Sequence, residues 1–253
     1  MNHGRRRTSG LFAALVVSAF PTYAPSVAQN APPSAAPQND AASSTADYVP
    51  PSRGAPGGRL VGAASRGTSF PNPLPVIYPI APDGHAGQTT SSSPTLYFFV
   101  SQPVTWPTQF TISAVTRPNP IVEVDIPSPR AAGIYSVRTA DYRIRLEPGV
   151  VYTWSVSAQL DPKSRSRDIV ATASLLRTAP DPGVEGVLGT APPTRRIGLL
   201  AQAGLWYDAV AAAAEMAAYD RHAALDSLMT QVGLIEPARY DRENIAMGII
   251  QSR

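Results

Sequence analysis

Arg165 and Arg167 stand in the loop Asp161-Pro-Lys-Ser-Arg-Ser-Arg-Asp168, where five of eight residues are charged. Guanidinium groups placed this close can hold a carboxylate or phosphate through forked hydrogen bonds. Asp161 and Asp168 offer the competing outcome, a hairpin paired within itself. A second set, Arg53, Arg59 and Arg66, lies in a run over 51–69 that Gly and Pro punctuate every few residues. Gly-rich backbone carrying guanidinium groups can wrap an anion or pack on another surface. The phosphate-loop pattern with its Lys is absent, and an extended arm along the domain edge is the alternative. Near the C-terminus, Ala203-Gly-Leu-Trp-Tyr-Asp-Ala-Val brings together Trp206 and Asp208. Trp206 is read either as an anchor for a partner or as core of its own chain, and Asp208 joins it as a contact candidate.

Catalytic constellations are scarce. The chain has no Cys, and its three His are His3, His85 and His222. Disulfides, zinc–thiolate sites and cysteine nucleophiles are therefore excluded, and a His-based metal site is not expected. A Ser-His-Asp triad needs a His beside an activated Ser. His85 instead lies in a Gly/Ser/Thr-rich loop and His222 at a helix start. The acids are scattered, several beside Pro or Gly, in no pattern that suggests paired-carboxylate hydrolysis. No catalytic residue, metal or cofactor is expected.

The N-terminus reads as a secretory signal over 1–28. Arg5, Arg6 and Arg7 precede an apolar run over 11–20, too short to span a bilayer. Ser26-Val27-Ala28 then supplies the small residues of a cleavage site. An uncleaved anchor is the alternative, and Thr-Ser-Gly after the arginines fits a twin-arginine signal poorly. The general secretory route to the periplasm is the expectation, with full secretion open and no integral span after cleavage. The whole chain carries 21 Lys and Arg against 18 Asp and Glu. The basic excess equals the three signal arginines, so the mature chain is formally neutral. A nucleic-acid binder carries a lasting basic excess, so no nucleic-acid partner is expected.

Residues 29–50 are rich in Ala, Pro, Ser, Gln and Asn and read as a disordered linker. The Gly/Arg-rich arm follows over 51–73. From 74 to 178 the chain reads as short strands at 76–80, 95–101, 109–115, 121–126, 134–138, 142–146, 151–159 and 168–177. They are rich in Val, Ile, Thr, Tyr and Phe and separated by turn residues. Alternation in Tyr142-Arg-Ile-Arg-Leu146 and Tyr152-Thr-Trp-Ser-Val156 marks strands with one buried face. Leu146-Glu-Pro-Gly-Val-Val-Tyr152 looks like the tyrosine corner of immunoglobulin-like and fibronectin-type sandwiches, in which the hydroxyl returns to the turn backbone. Trp154 is then core. A Pro/Gly linker over 179–194 leads to helices at 195–203, 206–219 and 223–232, within a hairpin region over 195–235, and a tail over 236–253. The turn at 203–210 resembles that inside a tetratricopeptide unit, but one unit makes no solenoid. The expected fold is an all-β immunoglobulin/fibronectin-like sandwich with a segregated C-terminal helical hairpin.

Four pieces carry a wider resemblance. They are Pro50-Pro-Ser-Arg-Gly-Ala-Pro56 with Gly62-Ala-Ala-Ser-Arg-Gly67; Ser93-Pro-Thr-Leu-Tyr-Phe-Phe-Val100; Leu146, Gly149 and Tyr152-Thr-Trp154 with Asp161 and Arg165-Ser-Arg-Asp168; and Gly204-Leu-Trp-Tyr-Asp-Ala209. In this order, over about 50–235, they resemble the bacterial domain of unknown function 928 family. Where some members of that family carry Cys, this chain has Thr68, so no thiol role carries over. The resemblance implies a secreted envelope protein and supplies no activity. Three functional classes follow: an envelope interaction or scaffolding module with an unidentified protein partner, a ligand-binding accessory for an anionic small molecule or glycan, and an enzyme with an unfamiliar carboxylate site.

Overall fold

The computed structural model describes residues 47–51, 57–62, 73–161, 163–179, 181–243 and 250–251. The expected signal, most of the linker, Arg53 and Arg66 lie outside them. Among these residues ten strands occur in chain order: β1 Arg59–Leu60, β2 Ile77–Pro79, β3 Gly87–Thr89, β4 Thr95–Val100, β5 Thr108–Ala114, β6 Val122–Ile126, β7 Gly133–Arg138, β8 Val151–Ala158, β9 Ile169–Arg177 and β10 Ile250–Gln251. Among the same residues five helices follow β9: α1 Pro182–Leu188, α2 Pro193–Gln202, α3 Trp206–Ala214, α4 Ala218–Gln231 and α5 Ile235–Glu243.

The strands form two largely antiparallel sheets. One runs β1-β9-β8-β5-β6, with β3 added in parallel to the same edge of β9 as β1. The other runs β10-β7-β4-β2. The sheets share one core. Leu96 and Phe98 of β4 contribute from one side, and Phe110, Ile112, Trp154 and Val156 of β5 and β8 from the other. Alternation dictates this in β5 and β8, whose inward residues are buried and whose Thr111, Ser113, Thr153 and Ser155 are half-buried on the other face. β4 is buried on both faces, and the helices explain why. Phe99 packs against Tyr240 of α5 with ring centroids 5.2 Å apart, and the Tyr240 hydroxyl donates to the Ala132 carbonyl at 2.8 Å. Tyr152 behaves as expected, its hydroxyl accepting from the Glu147 amide at 2.8 Å.

Several boundaries differ from expectation. Residues 142–146 are not a strand. A 3-10 turn over Thr139–Tyr142 ends at Arg143 in the left-handed region, φ 56°. Ile144 and Leu146 are buried as their alternation demands, but single hydrogen bonds to Ser92 and Ser93 hold them in place of a ladder. The linker at 179–194 contains α1, because Asp181 caps the Gly183 and Val184 amides and Pro182 opens the helix. Of the expected arm, the described residues Arg59 and Leu60 pair along a sheet edge, opposite Ala173 and Thr172.

The helices form two hairpins built alike. Gln202-Ala-Gly204-Leu205 joins α2 to α3, and Gln231-Val-Gly233-Leu234 joins α4 to α5. Gly204 and Gly233 take φ of 75° and 72°, the left-handed helix stop that favours Gly. The Leu205 amide donates to Leu200 at 2.9 Å, and the Leu234 amide to Met229 at 2.8 Å. Ala209 and Ala238 are fully buried at matching places on the second helix of each hairpin. Among the described residues, no helix is long and apolar enough to cross a membrane.

Candidate functional site

The first turn of α3 is inserted against the sheets. Trp206 is 0% exposed, and its Nε1 donates to the Ile80 carbonyl at 3.0 Å. Tyr207 reaches between the sheets, where its hydroxyl accepts from Trp154 Nε1 at 2.9 Å and donates to the Ser174 carbonyl at 3.1 Å. Burial pushes the ionisation of this phenol far upward. The ring passes so close to β3 that a Cβ at Gly87 would stand 2.7 Å from Tyr207 Cε2, so only Gly fits there. Asp208 accepts from the Thr89 hydroxyl, from the Thr90 amide at 2.8 Å and from the Thr90 hydroxyl at 2.9 Å. Three consecutive side chains therefore fasten the helices to the sheets. Trp206 and Asp208 are corrected accordingly: Trp206 is core of its own chain, and Asp208, half-buried, has its acceptors taken up inside the chain.

Arg59 is corrected for the same reason. Its Nη1 donates to Ala81 at 3.0 Å and to Val232 at 2.8 Å, and its Nη2 to Gly233 at 3.3 Å. A guanidinium suited to an anion is equally suited to the carbonyls that a helix C-terminus leaves without partners. Replacing Arg59 by Ala should cost about 2 kcal/mol, since three charge-assisted bonds go and the α4 carbonyls lose their donor. Urea unfolding checks this, with Arg59→Lys recovering part of the loss.

Residues 47–51 cross the same junction. The Val49 amide donates to the Ala201 carbonyl, and the Tyr48 amide to the Gln231 side chain. The Tyr48 ring meets Trp206 edge-on at 4.9 Å. Its hydroxyl bonds His85 Nε2 at 2.7 Å, while His85 Nδ1 lies 3.1 Å from the Asp83 carbonyl. The tautomer that satisfies both contacts has Nδ1 donating to that carbonyl and Nε2 accepting from Tyr48.

The loop at 161–168 pairs within itself. Arg165 Nε stands 2.8 Å from Asp168 Oδ2, and its Nη2 donates to Gln109 at 2.8 Å. Arg167 lies 3.5 Å from Asp161 Oδ2. Both guanidiniums have acid partners, and the internal hairpin is the arrangement adopted.

His222 Nδ1 bonds Asp241 Oδ2 at 2.8 Å between α4 and α5, and both side chains are buried. The arrangement resembles the positioning half of a general base, but His222 Nε2 is enclosed and meets no partner among the described residues. Burial holds the Asp241 carboxyl above its ordinary range, against the lowering effect of His222 and Arg221; nearby Asp226 also raises it. The folded state thus keeps this proton to higher pH than the unfolded chain does. The stability Asp241 contributes is full below the ordinary carboxylate range and is lost as pH rises through the raised folded value. Asp241→Asn keeps an acceptor for His222 and removes that dependence. Its stability relative to the native chain should therefore improve between about pH 4 and pH 7, read from urea midpoints. Among the described residues, no group of three or more His, Asp or Glu could hold a metal ion.

An open feature lies where α2, α3 and α4 meet. A cleft of about 390 Å³ has Pro193, Ala212, Met216 and Ala217 among its walls. Arg196, Glu215 and Asp220 complete the lining. These three are exposed and form no ion pair among the described residues. Burial, with Glu215 adding to it, pushes the Tyr97 hydroxyl up to about 12. Sequence reasoning missed this feature, because its residues come from the α3–α4 turn and the start of α2, and no motif joins them.

Two sheets over a shared core, with paired helical hairpins fastened to them, define a β-rich protein with a C-terminal helical part. The chain belongs to the family described as Domain of Unknown Function (DUF928), which it matches over residues 61–240. No curated protein and no solved structure matches it.

Proposed function

We propose that this chain is an exported, non-enzymatic protein-interaction module of the bacterial envelope, and that the cleft between its helical hairpins is the contact surface. The observation that carries this reading is how the polar groups are distributed. Trp206, Asp208, Arg59, Arg165 and Arg167 serve internal contacts, whereas Arg196, Glu215 and Asp220 ring an apolar-walled cleft with no ion pair among the described residues. Charges beside apolar surface at a concave site are the usual make-up of a contact that fixes orientation.

Two finer points of architecture support the same reading. We read the order β2-β4-β7 beside β6-β5-β8-β9 as a fibronectin-type sandwich, a reading supported by the bond from the Glu147 amide to the Tyr152 hydroxyl. We read the two Gly-Leu hairpins as tetratricopeptide-like units stabilised by docking in place of further repeats, with their matching turn hydrogen bonds as support. The signal-like residues 1–28 support export by the general secretory route to the periplasm.

The test is affinity capture from detergent-solubilised envelopes, with the native protein and Glu215→Lys/Asp220→Lys in parallel. The reading expects one stoichiometric envelope protein with the native chain and its loss with the double variant, whose melting temperature stays the same. No capture, or capture indifferent to the two charges, contradicts it.

A further inference from the structure

The β5–β6 pair ends one sheet, and among the described residues no strand follows beyond β6. Among the described residues, the backbone of Val122–Ile126 makes no hydrogen bond other than those to β5. A strand edge of this kind is a template for another strand unless something opposes it. The side chains of β6 alternate strictly. Val122, Val124 and Ile126 are half-buried against the shared core, and Glu123 and Asp125 are exposed on the other face. Opposite them on β5 stand Thr111 and Gln109, which carry no charge to neutralise them.

This pattern selects its occupant. Pairing with a second copy about Val124 would set Glu123 against Asp125 of the other chain twice, and like charges directly opposite are destabilising. A strand with basic residues at the same spacing meets the two acids favourably. If its alternate residues are apolar, they extend the half-buried row of Val122, Val124 and Ile126 and remove it from water. We propose that β6 is a receiving edge for an extended segment of another exported protein in which apolar and basic residues alternate. Main-chain bonds supply affinity, and Glu123 and Asp125 supply choice of partner. This surface is separate from the helical cleft and does not depend on it.

The test uses the full mature chain and three synthetic heptapeptides with blocked ends. One is Val-Lys-Val-Arg-Val-Lys-Val, one has Glu in place of each basic residue, and one has the first peptide's composition with its basic residues contiguous. Binding is read by calorimetry, and its location by amide exchange at residues 122–126. The alternating basic peptide should bind saturably, slow exchange in β6, and exceed each of the others by about tenfold or more in affinity. Glu123→Lys/Asp125→Lys should reverse the preference toward the acidic peptide while the melting temperature holds. Absence of saturable binding, equal binding of the contiguous peptide, or binding that survives the charge reversal would overturn the proposal, and the two acids would then only guard the edge against aggregation.

Discussion

Trp206→Ala lowers the stability of the chain by about 4 kcal/mol, the range found when a fully buried Trp is truncated. For a folded part of this size, that is roughly 10 °C in melting temperature. The loss has three sources. The indole volume is vacated, the Ile80 carbonyl loses its donor, and Tyr48 loses the ring it packs against. The effect should also be uneven. Trp206 begins the helix that seats the hairpins, so helical circular dichroism should fall before the signal of the strands does. Thermal unfolding followed by both signals checks this. If Trp206 were a docking surface for another protein, the melting temperature would stay unchanged.

Asp208→Ala ranks second, at about 3 kcal/mol. A carboxylate accepting three hydrogen bonds disappears, and the Thr89 hydroxyl is left buried with its donor unmet. Asp208→Asn separates shape from charge. It keeps one carbonyl oxygen but turns an amide donor toward a Thr donor, so it should recover less than half of the loss. Chemical denaturation of the three proteins side by side gives the order native, Asn, Ala. A ranking in which Asn matches the native chain would mean that the carboxylate's second oxygen does nothing at the joint.

The strands of the shared core were legible because burial on one face imposes a period of two, visible in Tyr152-Thr-Trp-Ser-Val156 and its neighbours. The corner made by Tyr152 was legible from Pro148-Gly149 and the Tyr that follows. Alternation alone misled at 142–146. Ile144 and Leu146 point inward as a strand's residues would, yet Arg143 turns the backbone left-handed and no ladder forms. β3 was missed because Gly87-Gln-Thr89 has neither length nor apolar content. Its Gly is there to admit the Tyr207 ring, a requirement set by a residue far along the chain.

The helical part was half legible. Gly204 was read as a helix stop and Gly233 as another, but the recurrence of Gln-x-Gly-Leu that makes the hairpins alike lies in plain sequence and carried the second hairpin too. The site residues were the least legible. Arg59, Trp206 and Asp208 were chosen for chemistry that suits a ligand, and the same chemistry suits carbonyls, hydroxyls and rings of the chain itself. Composition cannot separate the two, because the deciding fact is whether a partner group arrives from another element. For Asp208 that group is Thr89 at the end of β3 together with Thr90 just after it. For Arg59 it is the end of α4.

The central claim is that the Trp206–Asp208 joint makes sheets and helices one cooperative body. Native-state amide exchange tests it most directly. The account predicts that amides in β8, β9, α3 and α4 exchange through openings of the same free energy and the same denaturant dependence. It further predicts that Trp206→Ala lowers the helical values well below those of the strands. Helical amides that already open far more easily than the strands in the native protein, with no further change in the variant, would contradict it.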